Sequence, residues 1–151
     1  MNKTKIGIVS GYFNPLHKGH IEYINAAKSK CTYLMCIVNN DDQVVLKGSQ
    51  VFMDEEHRLL IVKNLKSVDV GLVSIDEDLS VSQTLKKIVE DSNLSRYEFV
   101  FFNSGDRSSG NNNSREELIC KENGIQMVYI DLPKVCSSSE LKLNLATDNV
   151  K

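Results

Sequence analysis

The sequence predicts a doubly wound α/β fold, Rossmann-like, with a five-stranded parallel sheet in a single domain. Three observations predict it. Short apolar runs recur along the chain and alternate with helix-patterned segments, as strands buried on both faces of a parallel sheet require. A glycine and a proline-containing loop follow the first run directly and lead into a helical stretch, which is the strand, tight loop and helix of a βα unit. The length of 151 residues, 41% hydrophobic and 25% charged, suits one compact core rather than two.

Each element follows from its own pattern. Lys5–Ser10 is a β-rich run, and Lys18–Lys30 is helical after the loop; Thr32–Asn39 is again apolar and β-branched. The acidic triplet Asp54-Glu55-Glu56 opens a second helix that continues through Leu59–Leu65. Val70–Ile75 reads as the third strand. Val81, Leu85, Ile88 and Val89 then form the stripe of a helix packed on a sheet. Glu98–Phe102 is the fourth strand, Ser114–Glu122 a helix, Gln126–Ile130 the fifth strand and Ser137–Leu145 a closing helix. The expected domain is 1–145, followed by a polar tail at 146–151, and Ser108–Ser114 is a low-complexity surface loop.

Composition narrows the function. Eighteen basic and 20 acidic residues leave a net charge of −2, no surplus for holding a polyanion, so nucleic acid is not expected as a partner. No stretch approaches the roughly 20 apolar residues of a membrane span, and a soluble, cytoplasmic protein is expected. The cysteines at 31, 36, 120 and 136 form no CxxC pair and lie near no suitably spaced histidine, so no metal site is expected. Cys31, Cys36 and Cys120 read as small hydrophobes in a reducing compartment.

In doubly wound sheets ligands bind beyond the carboxyl ends of the strands, where the strand order reverses. The loop after the first strand, Ser10-Gly11-Tyr12-Phe13-Asn14-Pro15-Leu16-His17-Lys18-Gly19-His20, is therefore the most informative stretch. His17 and His20 stand three apart, so at the first turn of a helix both imidazoles share a face. The free N–H groups and positive dipole end there attract phosphate, and Gly19 lets a nucleotide approach the backbone. An isolated HxxH is ordinarily a solvent-facing pair; at a helix start after a strand, the two rings suit a triphosphate.

The pattern G-x-F-[DN]-x-x-H-x-G-H resembles the signature of the nucleotidyltransferase superfamily, which contains cytidylyltransferases, mononucleotide and pantetheine phosphate adenylyltransferases and class I aminoacyl-tRNA synthetases. Nearly the whole chain is similar to small bacterial cytidylyltransferases and to the nucleotidyltransferase domain of heptose-phosphate enzymes. Lys47-Gly48 looks like the basic loop after the second strand, and Asp54-Glu55-Glu56-His57-Arg58 like the E-x-R or E-H-R opening of the second helix. Ser104-Gly105-Asp106-Arg107 resembles a G-G-D turn near the nucleotide, and Lys134-Val135-Cys136-Ser137-Ser138-Ser139 the G-C-S-T-T element before the last helix. Lys134 stands where the family's R-T-x-G-I-S-T-T form carries an arginine, and Asn14 where cytidylyltransferases usually have Asp.

What the resemblance implies is in-line attack by a small phosphorylated or phosphonate acceptor on the α-phosphorus of a nucleoside triphosphate, with pyrophosphate leaving. His17, His20, Lys47 and Lys134 are then catalytic. Gly11, Tyr12, Phe13, Gly19, Arg58, Asp106, Ser137, Ser138 and Ser139 are nucleotide contacts, and His57 is structural. Mg2+ is carried by the nucleotide phosphates. CTP is preferred over ATP because the loops after strands two, four and five look more like those of cytidylyltransferases. A homodimer is implied as well. The alternatives are adenylyl transfer from ATP to a sugar-phosphate-type acceptor, or a nucleotide-binding module without turnover.

Overall fold

The computed structural model describes residues 3–92, 96–104 and 114–131. Five strands, β1 (Thr4–Gly11), β2 (Tyr33–Val38), β3 (Val70–Val73), β4 (Tyr97–Ser104) and β5 (Gln126–Ile130), alternate with five helices, α1 (Lys18–Lys28), α2 (Asp41–Leu46), α3 (Glu55–Lys63), α4 (Ser82–Glu90) and α5 (Ser114–Glu122). The sheet is parallel throughout, in the order β3-β2-β1-β4-β5. The chain steps outward from β1 to β3, then crosses back to start β4 on the other side of β1. That reversal makes the crevice between β1 and β4 the topological switch point.

The core has two layers, one on each face of the sheet, as right-handed crossovers dictate. On one face Ile24 and Ala27 of α1 and Val62 of α3 pack on Val9, Leu34, Cys36, Val100 and Phe102. On the other, Leu85 and Val89 of α4 and Cys120 of α5 pack on Ile6, Ile8, Ile37, Phe99 and Phe101. Of the expected stripe, Val81, Leu85 and Val89 are at most 3% exposed, and Ile88 is half-buried against the same layer. Gly7 is required by the first layer: a Cβ there would lie 2.6 Å from Cys31 Sγ and 2.8 Å from the Phe102 ring. Cys36 and Cys120 are buried free thiols, and burial raises the pKa of both. Among the described residues no helix is long and apolar enough to cross a membrane.

The structure departs from expectation after β2. The segment read as a strand exit and basic loop folds instead into α2, because Asn40 and Gln43 form a reciprocal capping box: the Asn40 side chain accepts from Gln43 N–H, and the Gln43 side chain accepts from Asn40 N–H. Asp41 and Asp42 add acidic charge in its first turn. The next helix starts where the acidic triplet was expected to open it, with Asp54 as its N-cap and Glu55 as its first residue, and it ends at Lys63 rather than Leu65. The expected closing helix, the polar tail and most of the Ser108–Ser114 patch lie outside the described residues.

Candidate active site at the switch point

The two histidines build the start of α1. His17 is its N-cap, with Nδ1 accepting from Gly19 N–H at 3.1 Å. His20 occupies the third helical position, and its Nδ1 accepts from His17 N–H at 3.2 Å. A capping box normally uses Ser or Thr with Glu or Gln; here both partners are imidazoles, stacked 3.8 Å apart at 25°. The arrangement fixes the tautomer of each ring. An Nδ1 that accepts a hydrogen bond carries no proton, so each neutral ring holds its proton on Nε2 and presents a donor there.

His20 is also held neutral. Burial, then the neighbouring His17 and then the Lys47 ammonium lower its pKa from 6.5 to about 3. Part of that burial comes from Phe13, whose ring meets His20 edge-on with centroids 5.0 Å apart. Phe13 reaches this place with φ of 50° and is 1% exposed. Its ring folds back over Gly11, where a Cβ would sit 2.7 Å from Phe13 Cζ, so the first glycine of the motif is set by the packing of its own loop. Lys47, at the C-terminal end of α2, holds its Nζ 4.2 Å from the centre of the Tyr12 ring. Tyr12, Phe13, His17, His20 and Lys47 thus converge at the carboxyl end of β1, with Gly11 and Gly19 beneath them.

Arg58 has a different place from the one the sequence suggested. Its side chain is completely buried, with Nε donating to Met53 O at 2.8 Å, one terminal nitrogen donating to Tyr12 O at 2.8 Å and Asn39 O at 2.6 Å, and the other donating to Asp41 Oδ1 at 2.7 Å. Four of the five guanidinium N–H groups are thereby committed to protein. Rather than facing a ligand among the described residues, Arg58 ties the loop after β1, the end of β2, the start of α2 and the segment before α3 to one another.

Asn14, which sequence reasoning marked only as a departure from Asp, does similar work. Its amide donates to Gln50 O at 2.9 Å and accepts from Phe52 N–H at 2.8 Å and Met53 N–H at 3.0 Å. A carboxylate cannot make the first of these bonds. Gln43 fixes α2 from its other side by donating to Asp78 O and Ser80 O, which seats Lys47. Nothing in the sequence marked Asn14 or Gln43 as site supports, beyond the N-x-x-Q spacing at 40–43.

Lys134, Asp106, Ser137, Ser138 and Ser139 lie outside the described residues. His57 is on the exposed side of α3, its N–H held by the Asp54 cap. Among the described residues no three His, Cys, Asp or Glu side chains gather as a metal site would need.

Comparison with known proteins agrees with this fold. The family model described as cytidylyltransferase-like matches residues 8–143. An FAD synthase from Picrophilus torridus is 25% identical over 139 residues, covering 89% of this chain and 91% of its own. The bifunctional protein HldE of Rhodopseudomonas palustris is 37% identical over 87 residues, 56% of this chain but 17% of that protein. In fold, the chain resembles a lipopolysaccharide core biosynthesis protein from Thermoplasma volcanium, with a TM-score of 0.65 at 20% identity over 84% of this chain and 96% of the other. A match from the middle of β1 to residue 143, on a sheet whose switch point carries the paired histidines, places this chain in the cytidylyltransferase-like family of nucleotidyltransferases.

Proposed function

We propose that the protein joins a nucleoside monophosphate group to a small phosphorylated acceptor. An acceptor phosphate oxygen forms a bond to the α-phosphorus of a nucleoside triphosphate, the bond from that phosphorus to the β-bridging oxygen breaks, and pyrophosphate leaves. The observation that carries this reading is the pair of stacked imidazoles locked as Nε2–H donors at the N-terminus of α1. Charge grows on the α-phosphoryl and bridging oxygens in such a displacement, and preorganised donors aimed at those oxygens lower its barrier. With a pKa of about 3, His20 serves as a hydrogen-bond donor rather than a proton source. The Lys47 ammonium adds positive charge beside it, and Tyr12 and Gly19 line the approach.

Arg58 acts here as a positioning residue that holds Tyr12. Lys134 and Ser137–Ser139 take the phosphate-contacting roles, and Asp106 the nucleoside contact, that the family resemblance gives them. Mg2+ fits as a companion of the triphosphate, since the described donors are cationic or neutral and suit phosphate oxygens; when bound, it offsets phosphate charge.

ATP is the donor best supported. The FAD synthase relative runs nearly the full length of both chains, and its product is an adenine dinucleotide. CTP is the second reading, supported by the resemblance in sequence of the segments after β2, β4 and β5 to those of cytidylyltransferases. The free thiols support a cytoplasmic setting, and the resemblance supports a homodimer.

The test is pyrophosphate release with ATP and with CTP, in Mg2+, across a panel of phosphate monoesters that includes FMN, glycerol 3-phosphate and sugar phosphates. Release with one nucleotide and one acceptor class, lowered about 100- to 1,000-fold in His20→Ala as expected for loss of one oxyanion donor, supports transfer. Nucleotide binding without release across the panel identifies a binding module instead.

A further inference from the structure

The sheet splits at its carboxyl edge. Pairing between β1 and β4 ends at Ile8 and Phe101. Beyond that point β1 continues alongside β2 as far as Gly11 and Val38, and β4 alongside β5 as far as Ser104 and Ile130. The last residues of the two central strands therefore lean on their outer neighbours and leave the crevice between them. His17 and His20 stand at the β1 side of this crevice. At the β4 side stands Asn103, paired with Tyr129 of β5 and on the same sheet face as Phe101.

Asn103 is 0% exposed, and neither its amide nitrogen nor its amide oxygen has a hydrogen-bond partner among the described residues. An unmade bond on a buried polar group is costly, and such exceptions call for an explanation. A strand position two residues past Phe101 and four past Phe99 would suit another apolar side chain if packing alone decided. The neighbouring backbone is well moored, because Tyr23 of α1 donates its hydroxyl to Phe102 O. That contact docks the helix bearing the two histidines on β4 one residue before Asn103, from the opposite face of the sheet.

We propose that Asn103 is a specificity-determining residue that reads the base of the nucleotide, an inference that rests on the nucleotidyl-transfer reading above. The amide offers one donor and one acceptor side by side. Phosphate oxygens only accept, so a phosphate would leave the amide oxygen unmatched. The amino-bearing edges of adenine and cytosine each pair a donor with an adjacent ring-nitrogen acceptor and match both halves. With the triphosphate at the β1 side, a nucleoside extending across the split reaches β4, the neighbouring strand.

The experiment measures binding by calorimetry for wild type and Asn103→Leu, using ATP against purine riboside triphosphate, which lacks the 6-amino group, and CTP against its 4-deamino analogue. The 2′-deoxy form of each amino nucleotide is included. Wild type is expected to favour an amino nucleotide over its deamino analogue about 10- to 100-fold, the discrimination of one bidentate pair. Asn103→Leu is expected to bring that ratio near unity through weaker binding of the amino nucleotide, with the ratio to the 2′-deoxy form unchanged. Asn103→Asp, isosteric and lacking the donor, provides the same readout should the leucine variant not fold. A wild-type ratio retained in the variants, or a change confined to the 2′-deoxy ratio, overturns the assignment. Pyrophosphate release by wild type separates the two ideas: release with an unchanged ratio counts against Asn103 alone, and wild type that binds neither amino nucleotide overturns both.

Discussion

Holding His20 neutral links the candidate site to stability against acid. In the folded protein its pKa lies at about 3 instead of 6.5, so between these values the unfolded chain takes up a proton that the folded one declines. Stability from this group is complete above the unfolded value and drains away as the pH falls through it. Integrating that linkage from about pH 7.5 to about pH 5 gives a loss of about 2 kcal/mol from His20 alone. The result hardly depends on the folded value so long as it stays well below 5. The informative variant is His20→Gln, because glutamine at this helix position also accepts from the N-cap N–H and keeps the cap while removing the titrating ring. Urea unfolding of both proteins at the two pH values isolates the effect, since carboxylates shared by both cancel in the comparison. Wild type is expected to lose about 2 kcal/mol more than His20→Gln on acidification. Equal losses would refute the claim that burial, His17 and Lys47 keep this ring uncharged.

Three further outcomes follow from the supports of the site. Arg58→Met strands the Asp41 carboxylate and the carbonyls of Tyr12, Asn39 and Met53; it is expected to cost about 3–5 kcal/mol in chemical denaturation. Asn14→Asp sets a carboxylate against Gln50 O and is expected to cost about 1–3 kcal/mol at neutral pH, with part of the loss recovered in acid once the carboxyl can donate. Gly7→Ala drives a methyl group into Cys31 and Phe102 and is expected to cost about 1–3 kcal/mol. Combining it with Cys31→Ala should restore part of that loss, a coupling read from a double-mutant cycle.

The sheet was legible because its strands are buried on both faces: apolar runs such as Glu98–Phe102 carry little alternation and only a parallel sheet explains them. The histidine loop was legible because a helix start makes a three-residue spacing meaningful, and His17 and His20 do share a face. The sequence was silent about α2, whose six residues are too few to display a period. Its capping box at Asn40 and Gln43 was the available sign. Arg58 misled because the E-x-R resemblance gave it a nucleotide contact, whereas its acceptors come from Tyr12, 46 residues away, and Asn39, 19 residues away. No local spacing encodes such a contact. Asn103 was equally hidden, since a polar residue near a strand end is unremarkable until the break in the β1–β4 ladder and its burial are known.

The same hydrogen bonds that begin α1 also fix the proton on each imidazole, so folding and preorganisation of the donors are one event. An ordinary Ser or Asp cap would satisfy the helix equally well at a worth of about 1 kcal/mol, and stability alone therefore does not select histidine at both positions. What the imidazoles add is a second nitrogen on each ring, turned to donate once the first is occupied by the cap. Arg58 and Asn14 extend this logic outward. Arg58 joins Tyr12 O to Met53 O, and Asn14 grips Phe52 and Met53, so the loop that carries the histidines is tied to the segment between α2 and α3. Lys47 lies on the first of those helices and Arg58 on the second. Movement of either helix would shift the ammonium relative to His20, and the buried guanidinium resists that movement at a cost in desolvation that a plain packing contact would not incur.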